Sequence, residues 1–222
     1  MSQSDIKLYS TRGCPFAHRS RLVLAEKQLA FELIEIDLGK KPAWYGEVSL
    51  YGKVPALEHA GSRIVESSVI NEYIEESFPE PALLPRDPRL RAHARIWIDF
   101  ANTRLAPAFA KALRGGTAVE RDTSRLELEA ALLLAEREAL SKLSGAGPYW
   151  LGAAPSLVDF TFYPWFERLP ALEQISGVPL EPATRFERWK AAVGAHESVR
   201  AIANPIEFYL DRYRGYQAVP GP

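Results

Sequence analysis

STRGCPFAHR (Ser10–Arg19) holds the chain's single cysteine, followed at once by a proline, an aromatic residue and a run of helix formers. The segment before it, Ile6–Ser10 (IKLYS), alternates apolar and polar residues as a strand does. The segment after it, Pro15–Gln28, suits a helix with proline at its first position, where the missing N–H costs nothing. The stretch therefore predicts a strand-to-helix junction with Cys14 at the helix start.

Reading outward from that junction, Phe31–Ile36 (FELIEI) again alternates, with Phe31, Leu33 and Glu35 on one face. Pro42 opens a short helical segment, PAWYGEVSL. Two strands, Pro55–Glu58 and Ser62–Val65, follow, separated by a hairpin-like His59-Ala60-Gly61 turn. SSVINEYIEESF then carries Val69, Ile70, Tyr73, Ile74 and Phe78 at helical spacing. The order βαβαββα predicts a mixed sheet with helices on its faces. Four prolines mark Pro79–Arg89, and beyond them every periodic segment reads as helix. Pro107 and Pro164 are expected to kink two of these helices. Ser124 with Glu127, and Ser156 with Asp159, have the spacing of capping boxes. The expected organisation is an α/β domain over 1–80, a linker over 81–88 and an all-α domain over 89–222.

With 27 basic and 28 acidic residues in 222, the chain has no global charge to attract nucleic acid or an anionic membrane. One cysteine cannot close an internal disulfide, and no apolar leader or membrane-length apolar run is visible. These features point to the cytoplasm. His18, His59, His93 and His196 are scattered, so no metal is expected, and no glycine-rich phosphate loop is present.

A thiol at a helix N-terminus meets free N–H groups and the positive end of the helix dipole, which favour its anion. Arg12, His18, Arg19 and Arg21 lie close by in sequence, and His18 is expected to face solvent. The alternative is that Cys14 is simply a small buried hydrophobe. Because residue 17 is alanine, a dithiol pair is absent, so redox chemistry at Cys14 requires an external thiol.

The segments CPFAHRSRLVLAEKQLAFELIEIDLGKKPAWY, GKVPALEHAG and IVESSVINEYIEESFPE together resemble the glutathione-binding half of the glutathione transferases, most closely the omega class and related cysteine-type bacterial enzymes. LLPRDPRLRAHARIW and the SLVDF box (Ser156–Phe160) extend the likeness more loosely. The resemblance implies a thioredoxin-like N-terminal domain followed by a helical one. It also implies glutathione as co-substrate, with Cys14 catalytic and with Phe16, Lys41, Val54, Pro55, Glu66 and Ser67 at the glutathione site. In that family pattern a cis Val–Pro pairs with the cysteinyl backbone, the glutamate meets the ammonium, and the serine holds the γ-glutamyl carboxylate. Lys41 is the counterpart of the lysine for the glycyl carboxylate, with Lys40 and Lys53 as substitutes. A carboxylate at a helix N-terminus is favourable on physical grounds as well. Where omega enzymes usually carry Glu-Arg after CPFA, this chain has His18-Arg19.

The expected activity is that of a monothiol transferase, acting on glutathionylated, dehydroascorbate-like or glutathionyl-ketone acceptors. An apolar second-substrate pocket is expected from Phe16, Trp97, Phe100 and Trp165. Two alternatives stand beside it: conjugation of glutathione through a Ser10 or Tyr9 hydroxyl, and a non-catalytic interaction protein of the same fold. The resemblance further implies a homodimer.

Overall fold

The structure is a computed structural model that describes residues 5–176 and 184–217. It divides into two compact units, Met1–Leu84 with Glu197–Ile202, and Pro85–His196 with Ala203–Pro222.

The first unit carries β1 (Lys7–Ser10), α1 (Pro15–Glu26), β2 (Glu32–Glu35), α2 (Tyr45–Val48), β3 (Ala56–His59), β4 (Ser62–Val65) and α3 (Ser67–Ser77). Its sheet has the order β2-β1-β3-β4. Strands β1 and β2 are parallel, joined through α1, and β3 is antiparallel to both β1 and β4. This is the mixed sheet that the βαβαββα order predicts, in the thioredoxin-like arrangement that the resemblance implies. The β3–β4 turn holds Ala60 at φ 49° and Gly61 at φ 75°, the positive pair that a two-residue hairpin requires. On β2 the core-facing residues are Ile34 and, just beyond, Ile36, whereas Leu33 on the opposite face is 48% exposed. In α3 the fully buried residues are Ile70 and Ile74, and Val69 turns outward.

Helix α1 is buried from Ala17 through Leu24 without interruption. It packs against β1, α3 and the distant α10 (Glu197–Ile202), so no face is left for solvent. Ser198 of α10 donates to Glu26. The expectation of a solvent-facing His18 is thereby overturned: its side chain is fully buried.

A buried clamp closes this unit. Lys27, at the end of α1, donates to the Phe78 and Pro81 carbonyls at 2.6 and 2.8 Å and pairs with Glu75 at 2.7 Å. The other Glu75 oxygen accepts the N–H groups of Leu83 and Leu84, both at 2.9 Å. Glu75→Gln would leave the Lys27 cation without its counter-charge in a dry site. A loss of about 3 kcal/mol in unfolding free energy is expected, measurable by urea titration. A loss below about 1 kcal/mol would show that the clamp adds little.

The second unit is helical among the described residues. It comprises α4 (Pro88–Phe100), α5 (Ala106–Arg114), α6 (Ala118–Ala135), α7 (Ser141–Leu143), α8 (Leu157–Ser176), α9 (Thr184–Gly194) and α11 (Ile206–Gln217). The expected start of α9 at Ala183 lies outside the described residues. A π-helical turn, Ala101–Leu105, precedes Pro107, while α8 runs unbroken through Pro164 and Pro170. Helix α6 starts earlier than predicted. Its capping box is Thr117 with Glu120, following Gly115 and Gly116 at positive φ, and Ser124 lies buried inside the helix. Nothing between Thr117 and Ser124 breaks a helix, so the first good cap after the glycines wins. At the head of α8 one half of the expected Ser156–Asp159 box is seen: the Asp159 carboxylate accepts the Ser156 N–H, and the Ser156 hydroxyl donates to it as well. The core is aromatic, with Trp150, Phe160, Phe162, Phe166, Phe186 and Trp189 fully buried. No helix among the described residues is long and apolar enough to cross a membrane.

Candidate active site

Cys14 occupies the N-cap of α1 in extended geometry (φ −77°, ψ 121°), with Pro15 as the first helical residue. The loop before it is pinned from several sides. The Cys14 N–H donates to the Thr11 carbonyl at 2.9 Å, and Thr11 Oγ1 donates to the Ile36 carbonyl. The Arg12 N–H donates to Glu35 at 2.6 Å, and Arg21 holds the Arg12 carbonyl at 3.0 Å. The sulfur is half-buried and lies 3.8 Å from the Val54 carbonyl oxygen. The positive end of the α1 dipole therefore meets a thiol that is held in place yet reachable.

Val54–Pro55 is a cis peptide leading into β3. Beside it lies a cavity of about 110 Å³ lined by Phe16, Ser49, Tyr51, Lys53, Val54, Pro55, Val65, Glu66 and Ser67. Five residues expected at the site (Phe16, Val54, Pro55, Glu66 and Ser67) thus surround one cavity, and Cys14 reaches its wall through Val54. Glu66 caps α3 at φ 68°, a left-handed conformation that costs a non-glycine residue of order 1 kcal/mol. That turn leaves its side chain exposed, while Ser67, the first helical residue, is buried.

Lys41 is not part of this lining. Its ammonium lies instead near Gly52, 3.8 Å from where a Cβ would stand. Lys53 does line the cavity, on a loop held by Ser49 Oγ and Tyr45 Oη, which donate to the Lys53 carbonyl at 2.8 and 2.9 Å. Ser49, Tyr51 and Val65 escaped the sequence reading. The first two lie four and two residues before Lys53, and that closeness is the signal that could have found them.

Arg19 lies fully buried behind the cavity wall. Its guanidinium carbon is 4.8 Å from the centre of the Phe16 ring, and Nη1 is 3.5 Å from Ser67 Oγ. Burial pushes its pKa down to about 9, against an opposing pull from the Cys14 charge. Tyr45 is pushed up, chiefly by burial, with Cys14 adding in the same direction.

Neither alternative hydroxyl lines the cavity. Tyr9 donates to Glu58 at 2.7 Å and is pushed up to about 12, first by burial and then by that bond. Ser10 is fully buried on β1.

Of the aromatics expected at a second-substrate pocket, Phe100 lines a larger cavity within the helical unit, about 550 Å³, shared with Arg104, Pro107, Lys111 and Leu134. Trp97 packs between Phe100 and Trp150, and Trp165 packs on Phe109, at 8% and 4% exposure. No cluster of three metal-ligating side chains occurs among the described residues.

The first-unit site offers the Val54–Pro55 backbone leading into β3, an exposed carboxylate, an ammonium, and a hydroxyl at a helix N-terminus. Such a set suits a short peptide with free charged ends, presented to a thiol. Comparison with known proteins gives the family. Residues 8–82 match the family described as "Glutathione S-transferase, N-terminal domain". The chain is 34% identical over 192 residues to glutathione S-transferase omega-1 of Mus musculus, covering 86% of this chain and 77% of that one. It is 43% identical over 166 residues to "Protein IN2-1 homolog A" of rice, covering 73% of this chain and 65% of that one. Glutathione transferase Omega 3C from Trametes versicolor superposes with a TM-score of 0.84 at 30% identity, covering 97% of this chain and 91% of that one. A rice glutathione transferase solved in complex with glutathione superposes at 0.86 with 27% identity, covering 96% and 98%.

Proposed function

The chain belongs to the glutathione transferase family, among relatives of the omega class, and from that premise we propose that it is a thiol transferase working through Cys14. Glutathione is its co-substrate. The Cys14 thiolate attacks the glutathionyl sulfur of a mixed disulfide, forming a Cys14–glutathione disulfide. The acceptor thiolate leaves and takes a proton from solvent. A second glutathione thiolate attacks the glutathionyl sulfur, releasing oxidised glutathione and restoring Cys14. The acceptor is reduced by two electrons, and two glutathionyl units leave joined as the disulfide.

What supports this reading is the contact of the Cys14 sulfur with Val54, a wall residue of the cavity that also carries Pro55, Glu66 and Ser67. The helix start favours the sulfur anion both as attacker and as leaving group. With a single cysteine, nothing within the chain competes with external glutathione to resolve the adduct.

The test is intact mass after brief exposure to oxidised glutathione, followed by peptide mapping. A single glutathionyl group on Cys14 is expected. An unmodified protein would refute the mechanism.

Within this reading Lys53, rather than Lys41, holds the glycyl carboxylate. Lys53→Ala is expected to raise the KM for glutathione about tenfold, the worth of one charge-assisted hydrogen bond. Lys41→Ala should change it by less than about twofold. The opposite order in initial-rate kinetics would return that role to Lys41.

A further inference from the structure

We propose that Arg19 is a positioning residue for this reaction, a buried guanidinium that braces Phe16 and Ser67 from behind and sets a fixed positive charge under both the sulfur and the carboxylate end of the glutathione site.

The inference rests on the thiol-transfer reading and adds a residue to it. Three observations meet at Arg19. Its side chain is fully buried, although burying a cation costs several kcal/mol unless something compensates it. Its guanidinium faces the Phe16 ring at 4.8 Å and Ser67 Oγ at 3.5 Å, and both residues line the cavity. The Phe16 ring that it faces stands in the first turn of α1, two residues after the Cys14 cap. One side chain on α1 thus reaches the start of α3 while facing the first turn of its own helix.

Those two helix starts are where the reaction needs an anion to rest, the thiolate at α1 and a substrate carboxylate at α3. Each helix supplies about half a charge from its dipole. The guanidinium adds a whole one, in a site where little water screens it. Arginine suits the task better than lysine, because its flat face stacks on Phe16 while its edge still presents N–H groups to Ser67. The other charged and titratable groups nearby are placed differently. Arg12 is exposed and Arg21 is turned to the Arg12 carbonyl, while Tyr45 from α2 is pushed up by burial, His18 is buried on α1, and Glu66 at the α3 cap carries the opposite sign.

The experiment compares wild type, Arg19→Met and Arg19→Lys in two readouts: the pH dependence of Cys14 alkylation by iodoacetamide, and KM for glutathione. Methionine keeps the packing volume and removes the charge. Its alkylation midpoint is expected to move up by about one pH unit, and its KM to rise about tenfold. Lysine keeps the charge and loses the stacked fork, so its midpoint should stay near wild type while KM still rises. A merely structural arginine would lower folded yield and leave the midpoint in place. If Arg19→Met does not fold, Arg19→Gln replaces it with the same expected shift.

A wild type that takes up glutathione on Cys14, beside a folded Arg19→Met whose midpoint is unmoved, would overturn this inference alone. A wild type that forms no adduct would overturn the thiol-transfer reading and this inference with it.

Discussion

Cys14→Ser is expected to lose at least about a thousandfold in thiol-transfer turnover while its affinity for glutathione stays within about threefold. Serine has nearly the shape of cysteine, so the cavity walls at Val54, Pro55, Glu66 and Ser67 need not move. Its oxygen cannot form the mixed disulfide through which both half-reactions pass. The same change should raise stability. Cys14 sits at the N-cap of α1 and makes no side-chain capping bond there, whereas serine is among the best N-caps, worth up to about 1 kcal/mol. A variant that is more stable, binds glutathione and does not turn over would identify Cys14 as a residue kept for chemistry at some cost to the fold. Turnover kept above a tenth of wild type would instead point to a hydroxyl mechanism. The cavity gives that mechanism little support, because Tyr9 Oη is directed at Glu58.

Why some of this was legible in the sequence, and some not, follows from the range of the interactions concerned. Strand alternation, the proline after Cys14 and the Ala60-Gly61 turn are local, and each marks its element within a few residues. The cavity residues Phe16, Val54, Pro55, Glu66 and Ser67 sit beside element ends, and a thioredoxin-like sheet order brings those ends together. The choice between Lys41 and Lys53 depends on the path of the 49–53 loop, which is set by Ser49 and Tyr45 holding the Lys53 carbonyl. No periodicity encodes such a path.

The burial of His18 was illegible for a different reason. Helix α1 carries Arg, Ser and His residues that read as a polar face. That face is covered by α3 and by α10, the latter more than 170 residues further along the chain. Polar residues on a helix predict solvent only when nothing distant packs on them. Here the polar side chains are the means by which α1 joins the elements around it: Lys27 to Glu75, Glu26 to Ser198, Arg19 toward Ser67. The Ser124–Glu127 spacing misled in the converse way. It has the form of a helix start, but a stronger local signal, two glycines and then Thr117, comes first.

Asp159→Ala is expected to be the most damaging single substitution away from the site, lowering unfolding free energy by about 4 kcal/mol. Its carboxylate is fully buried and accepts four hydrogen bonds: from the Trp150 N–H at 2.9 Å, the Ser156 N–H and Oγ at 2.7 and 2.6 Å, and Trp189 Nε1 at 2.7 Å. Burial raises its pKa, and those donors pull the other way. Alanine would strand all four donors in a core packed with Trp150, Phe162, Phe166 and Trp189, where water has little room to replace the carboxylate. It would also unfasten three pieces at once: the segment before α8, the first turn of α8, and α9 through Trp189. Asp159→Asn separates the contributions, because it keeps volume and one acceptor oxygen while turning an NH2 toward groups that are themselves donors. An amide donor facing an N–H or O–H donor is repulsive, so asparagine should recover less than half of the loss. Urea unfolding followed by tryptophan fluorescence reads both variants, since Trp150 and Trp189 flank the network. If asparagine restored wild-type stability, the carboxylate charge would be incidental and the packing of the box alone would hold α8 and α9 together.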